Sequence, residues 1–335
     1  MHNLKYKFTD AVLGDIIKIV GLKTVNRGLG VTMGALVVLR QMSMIAILVI
    51  IGIGLEKKKV LSEQGTKTIS KIVVDICNPV LIVSTILNGN ITVTHTEFLK
   101  GVGIAAIIYG VFILVGTFLP AAIRLPRDER KYYCLMSIYG NVGFLGIPVA
   151  KAILPENAML YVVICNVFYC LLFYTHGIIT LSSGKEKMDL KKLVSPGVIL
   201  SLLALLIFWY DIKLPDFIVK TADYIGSPTV FLSMLLLGAS VARSSFLKDM
   251  KDAKLWIFIL VRLVCVPALA VLVLRSISAP DEMVRTFCLM CAVPVGNLPM
   301  IQAEKIGERT DILSRGIIVT TVFSFISITA FMSLI

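Results

Sequence analysis

Long apolar stretches separated by short polar connections run from about residue 35 to the end of the chain. A helix needs about 20 predominantly apolar residues to cross the hydrocarbon core of a bilayer. That length predicts spans near 35–55, 69–88, 98–119, 132–150, 157–181, 194–210, 222–242, 253–274, 283–303 and 312–334. The sixth is short, and the fourth and ninth are interrupted by Gly, Asn and Pro. The connection over 182–192 (SSGKEKMDLKK) is the most polar and falls almost midway, so residues 182–193 read as a cytoplasmic linker. The segments 34–181 and 194–335 on either side hold five predicted spans each.

Composition turns apolar pattern into membrane protein. The 335 residues are 57% hydrophobic and only 16% charged. Soluble domains keep about a quarter of their residues charged, so lipid must cover what polar surface does not. The formal charge of +12 sits in short clusters between apolar stretches, without the interleaved aromatics of a nucleic-acid face. Loops after odd-numbered spans carry Lys57, Lys58, Lys59, Lys67, Lys71, Arg124, Arg127, Arg130, Lys131, Lys185, Lys187, Lys191, Lys192, Arg243, Lys248, Lys251, Lys254, Lys305, Arg309 and Arg315. Those after even-numbered spans carry only Lys100, Lys151, Lys213, Lys220, Arg275 and Arg285. The positive-inside rule then places the odd loops in the cytoplasm and both termini outside, in a multi-pass protein of the plasma membrane.

Residues 1–33 run against that rule, since they hold Lys5, Lys7, Lys18, Lys23 and Arg27 on the outer side. Val12, Ile16, Ile19 and Val20 have helical spacing, which suits an amphipathic helix lying in the interface. A translation start at Met33 is the alternative, and both stay open.

The halves resemble each other. Aligning 70–89 (SKIVVDICNPVLIVSTILNG) with 219–238 (VKTADYIGSPTVFLSMLLLG) pairs Pro79 with Pro228, Ser84 with Ser233 and Gly89 with Gly238. Cys134-Leu135-Met136 recurs as Cys288-Leu289-Met290, each near the start of an interrupted span. With five spans per half, the second half begins on the opposite face of the membrane. The expectation is an all-α integral membrane protein of ten transmembrane helices, in two inverted five-helix repeats, with helices 4 and 9 broken and crossing.

Those breaks are where polar chemistry is expected. Irregular backbone inside a bilayer persists only where protein buries it or water reaches it. Gly140, Asn141, Gly143 and Pro148 interrupt the fourth span; Pro294, Gly296, Asn297 and Pro299 interrupt the ninth. Half-helix starts there expose free N–H groups and positive dipole ends suited to a carboxylate. Asn78 and Pro79 in the second span join the candidate set. Asp75 is a carboxylate well inside that span, either functional or paired with Lys71 one turn earlier. Arg262 in the eighth span either meets an anionic substrate or, more simply, snorkels to the cytoplasm. Gln302 and Glu304 close the ninth span as coupling candidates or as a solvated helix end. Asn166 and His176 are expected to be satisfied across a helix interface.

The motif GNVGFLGIPVA over 140–150 resembles the signature of the auxin efflux carrier family. Ser195-Pro196, Leu214-Pro215, Ser227-Pro228 and Leu237-Gly238, together with CAVPVGNLPMIQAEKIGERTDILSRGIIVTT over 291–321, are similar to that family's second half. The resemblance covers about residue 35 onward and, lacking the long plant cytoplasmic loop, points to a prokaryotic-type member of a bile acid/auxin-carrier-like superfamily. It implies ten spans in inverted repeats and transport of small organic anions such as malonate, malate or auxin. It matches Asn141 and Pro148 to the first crossover and Pro294 to the second. Gly140 stands where plant carriers often have proline.

Other classes fit less well. His2, His95 and His176 form no catalytic constellation, so no enzyme is expected. The last span lacks the lysine a retinal protein needs. The seven cysteines lie in apolar segments without metal-site spacing, so neither a metal nor another cofactor is expected. A cation/proton antiporter of the same architecture is the competing reading, although neither break holds a carboxylate. Coupling to H+ or Na+, and assembly as a homodimer, stay open. The expected partners are a small organic anion and membrane lipid.

Overall fold

A computed structural model describes residues 33–185, 194–243 and 252–335 of the protein. The interfacial helix expected within 1–33 and most of the linker lie outside the described residues. Twelve helical segments fill the described residues: α1 Met33–Lys57, α2 Glu63–Asn88, α3 His95–Ala122, α4 Arg127–Ile138, α5 Val142–Ile153, α6 Ala158–Leu181, α7 Pro196–Trp209, α8 Asp216–Ala242, α9 Ala253–Ser276, α10 Asp281–Ala292, α11 Leu298–Lys305 and α12 Asp311–Leu334. Seven of these, α1, α2, α3, α6, α8, α9 and α12, are long and apolar enough to cross a membrane. The short α5 and α7 are apolar as well. This is an all-helical, multi-pass membrane protein.

The helix starts are legible in local chemistry. Ser62 caps α2 by accepting from the Gly65 amide at 3.0 Å, and Thr94 with Glu97 forms a reciprocal capping box on α3. Pro126, Pro215 and Pro280 stand just ahead of α4, α8 and α10, where a missing N–H costs nothing.

Inside the helices, proline leaves a less familiar mark. Pro79, Pro148 and Pro267 each follow a single π turn, at Val73–Cys77, Val142–Gly146 and Val261–Cys265. Proline clashes with the carbonyl four residues back, and widening the preceding turn by one residue removes the clash. The released Leu263 carbonyl is taken by the Ser327 hydroxyl of α12. A fourth π turn, Phe173–Gly177 in α6, has no proline after it. In α8 the same problem is solved by interrupting the helix at Ser227, just before Pro228.

Packing divides the helices into two groups. In the first, α1 lies along α8, while α2 packs on both α7 and α8. The α1–α8 approach is so close that a Cβ on Gly52 would collide with the Leu235 carbonyl, and one on Gly238 with the Val49 carbonyl. Small residues permit such backbone contact between membrane helices. In the second group α3 packs on α4 and α6, α9 on α10, and α10 on α6 and α12. The groups meet where α12 touches α1, α6 touches α7, and α8 touches the start of α5.

Burial follows this arrangement. Leu36, Ile47 and Ile50 of α1, Ile107 and Phe118 of α3, and Leu260 and Leu272 of α9 are exposed apolar side chains on faces left for lipid. The second halves of α4 and α10 are buried throughout. The broken segments therefore lie at the centre of the bundle, where protein rather than lipid surrounds irregular backbone.

Candidate functional site

The chain breaks between α4 and α5 at 139–141 and between α10 and α11 at 293–297, and the two breaks meet in a crossing. Gly140 and Val295 form an isolated antiparallel bridge. The Asn141 amide donates to the Pro294 carbonyl at 2.7 Å, and the Gly296 amide to the Tyr139 carbonyl at 2.8 Å. The Val295 amide donates to the Thr320 hydroxyl of α12 at 3.0 Å. Backbone groups that helices would have satisfied are thus satisfied across the crossing.

Backbone contact requires glycine at 296, whereas Gly140 is pressed by the ends of two side chains. A Cβ on Gly296 would lie 2.8 Å from the Gly140 carbonyl oxygen. One on Gly140 would lie 2.7 Å from Arg262 Nη2 and 2.8 Å from Val293 Cγ2. Gly143 is pressed only by the movable Asn78 amide, at 3.1 Å.

Asn141 is 3% exposed and turns the chain into α5. Its Oδ1 accepts from the Phe144 amide at 3.1 Å, which leaves its Nδ2 buried without a partner. Asn297 stands at the start of α11 without a side-chain cap bond, and its buried Oδ1 has no partner. The Oδ1 of Asn78, on the α2 face that reaches Gly143, is likewise buried and unpartnered. One amide donor, Asn141 Nδ2, and two amide acceptors, Asn78 Oδ1 and Asn297 Oδ1, are thus buried without partners near two half-helix starts, which is unusual for buried polar groups.

The remaining candidates divide. Pro148 is buried inside α5, just beyond the π turn that follows Asn141, and Pro79 is buried inside α2, directly after Asn78. Pro299 occupies the second position of α11. Gln302 is buried and Glu304 exposed at the end of α11. Asp75 does not pair with Lys71: the π turn at Val73–Cys77 adds a residue and takes it off the i,i+4 face. Its carboxylate is half-buried, with no hydrogen bond or ion pair.

Arg262 corrects the simpler sequence expectation. It does not snorkel; it is 1% exposed and reaches inward to the crossing. Its Nη1 donates to the Cys291 carbonyl in the last turn of α10, and its guanidinium lies 4.8 Å over the Phe112 ring. Nε and Nη2 have no partner. Sequence reasoning missed the reason, which is the Val261–Cys265 π turn that carries Arg262; Pro267 was the available signal.

Asn166 donates to the Ser201 hydroxyl at 3.0 Å across α6 and α7. His176 Nδ1 lies 3.0 Å from the Tyr139 hydroxyl, which also donates to the Leu172 carbonyl at 3.0 Å. One hydroxyl hydrogen cannot serve both, so the ring nitrogen is the donor in that pair. A hollow of about 400 Å³, lined by Lys151, Lys220, Asp223, Tyr224 and Ser227, lies between the far end of α5 and the first half of α8. A larger one, about 630 Å³, lies at the ends of α2 and α7 and touches no crossing residue. Among the described residues no group of His, Cys, Asp or Glu has the arrangement of a metal site.

A family model described as membrane transport protein matches residues 37–192 and 185–332. The chain belongs to that family, the auxin-efflux-carrier-like membrane transport proteins. It is also similar to an uncharacterised transporter of Methanocaldococcus jannaschii, with 27% identity over 297 residues, covering 85% of this chain and 94% of the relative. Family membership agrees with the apolar spans and gives the crossing a context: polar backbone buried at the centre of a membrane transport protein.

Proposed function

We propose that the protein is a secondary carrier that moves small organic carboxylates across the plasma membrane, with the substrate held where the two broken helices cross. The observation that carries this reading is the Asn141–Pro294 bridge with its unpartnered amides. Asn141, Asn297 and Asn78 converge there on the positive ends of α5 and α11. Such a site receives a carboxylate through Asn141 Nδ2 and the backbone N–H groups of the half-helix starts, without a contacting lysine. The free Asn78 and Asn297 oxygens accept from a donor on the substrate.

The ten-span inverted repeat is part of the same proposal, with both termini outside. Packing supports it: exchanging each span for the one five places later maps α1 on α8 to α7 on α2, α3 on α4 to α9 on α10, and α12 on α1 to α6 on α7. The moving unit, however, is not one sequence half. The crossing hydrogen-bonds the halves to each other, so rocking them apart would break it. We assign the motion to the group α3–α6 with α9–α12, shifting against α1, α2, α7 and α8. Polar atoms at the boundary between the groups favour this division. Asn78 faces Gly143 there, and the 400 Å³ hollow with Lys151 opens between α5 and α8 as an anion vestibule.

Asp75 supplies the coupling site in this reading, as a carboxylate without a partner one turn from Asn78. An antiporter of protons or sodium without an organic substrate is the second reading, and Asp75 is the observation that favours it. Purified protein in liposomes, given labelled malonate, malate or indole-3-acetate with and without a pH or sodium gradient, separates the two. Carboxylate uptake that Asn141→Ala abolishes supports the carrier. Gradient-driven ion exchange with no carboxylate taken up supports the antiporter.

A further inference from the structure

We propose that Arg262 is the positive charge of the crossing, acting through the Gly140 backbone to give the site its preference for anions. This deepens the carrier reading and rests on it for the nature of the ligand, though not for the geometry.

Arg262 is the largest fully buried side chain among the described residues. Among the described residues no acidic side chain pairs with it. Its surroundings are the Phe112 ring, the Cys291 carbonyl and the backbone at Gly140. An uncompensated cation buried this deeply is costly, and an apolar side chain of similar size would fill the space without that cost. The carbonyl end of α10 offers only partial compensation. The field that remains unbalanced extends across the thin crossing strand to the Asn141 side. In a water-poor interior it acts over several ångströms. An anion at Asn141 is attracted and a cation repelled, although neither touches the guanidinium. Arg262 is thus a positioning residue for charge rather than a contact.

The guanidinium lies directly against the Gly140 backbone: a Cβ there would lie 2.7 Å from Nη2, so the end of the arginine would have to shift.

The bland alternative is that Arg262 only caps the last carbonyls of α10. A neutral donor would then serve equally well, and charge would be irrelevant. The test reads charge directly and uses no substrate. Phe144, half-exposed in the first turn of α5, is replaced by cysteine in the full-length protein. The thiol is labelled with anionic sulfonatoethyl or cationic trimethylammonioethyl methanethiosulfonate, and labelling of the parent is subtracted to remove native thiols such as the exposed Cys265.

With Arg262 in place, the anionic-to-cationic rate ratio, normalised to 2-mercaptoethanol, should exceed one. It should fall by roughly tenfold or more in Arg262→Gln and recover in Arg262→Lys. A purely structural role would slow both reagents alike. A normalised ratio at or below one in the parent background overturns the proposal, whether or not Arg262→Gln folds. So does an unchanged ratio in a folded Arg262→Gln. Because no carboxylate substrate enters the measurement, its failure leaves the carrier reading standing, and failed uptake in liposomes leaves the charge assignment standing.

Discussion

The Asn141 amide donates to the Pro294 carbonyl at 2.7 Å, so residues 153 positions apart share one backbone hydrogen bond at the centre of the bundle (294 − 141 = 153). Each belongs to a helix that stops there. The helices stop because Gly140-Asn141 and Pro294 with Gly296 cannot continue them cheaply, and the groups thereby released satisfy each other.

Asn141→Ala removes both the cap on Phe144 and the free Nδ2. The lost cap costs about 1 kcal/mol, which a stable protein tolerates. Carboxylate uptake by proteoliposomes should fall at least roughly tenfold, as expected for loss of a hydrogen bond to a charged group. Wild-type uptake by a properly folded variant would remove Asn141 from the site.

Gly296→Ala brings a Cβ to 2.8 Å from the Gly140 carbonyl oxygen, and neither backbone can yield without opening the bridge. The expected loss is about 1–3 kcal/mol of stability, seen as a lower melting temperature in detergent. Gly143→Ala meets only the Asn78 side chain and should melt close to wild type. Equal melting of the two variants would contradict a rigid crossing.

Glu308, in the connection between α11 and α12, accepts from Lys131 Nζ and from the Tyr132 hydroxyl, both at 2.8 Å. The hydrogen bond from Lys131, then that from Tyr132, holds its carboxyl below the usual value. A depressed carboxyl contributes stability that is complete above about pH 4.3, its unfolded value, and that is lost as pH falls through the lower folded value. The pair is partly exposed to water, so the contribution is about 1 kcal/mol or less. Glu308→Gln should therefore lower the melting temperature slightly at pH 7 and approach wild type in acid. A gap that widens with acid would reverse the assignment.

Gly238→Val sets a branched side chain against the α1 backbone at the closest helix contact of the first group. Since neither helix can retreat without losing its packing, the variant should be destabilised by at least about 1–3 kcal/mol. Size-exclusion profiles of detergent extracts should show loss of the monodisperse peak, whereas Gly110→Val, in open space on α3, should retain it.

Much of this organisation is legible in the chain. The apolar runs mark the helical segments because a bilayer demands about 20 apolar residues whatever the neighbours are. The breaks at Gly140-Asn141 and Pro294 to Asn297 are visible because those residues fail as helix interiors in any context. Even the meeting of Asn141 and Pro294 follows once the spans are taken as two related sets. The sequence also left errors: α2 and α8 begin earlier than apolarity alone suggests, at Glu63 behind the Ser62 cap and at Asp216 behind Pro215.

Tertiary structure decided what periodicity cannot carry. A π turn shifts the register by one residue, so Asp75 leaves Lys71 and Arg262 turns inward toward Gly140. Counting by 3.6 residues per turn assigns both side chains to the wrong face. Gly140 and Gly296 looked like two helix breakers in the chain; only the crossing makes each the space into which the other backbone, or Arg262, fits. The physical reason is the same in each instance: composition determines which residues leave water, whereas the partner a buried polar group finds depends on backbone contacts between segments far apart in the chain.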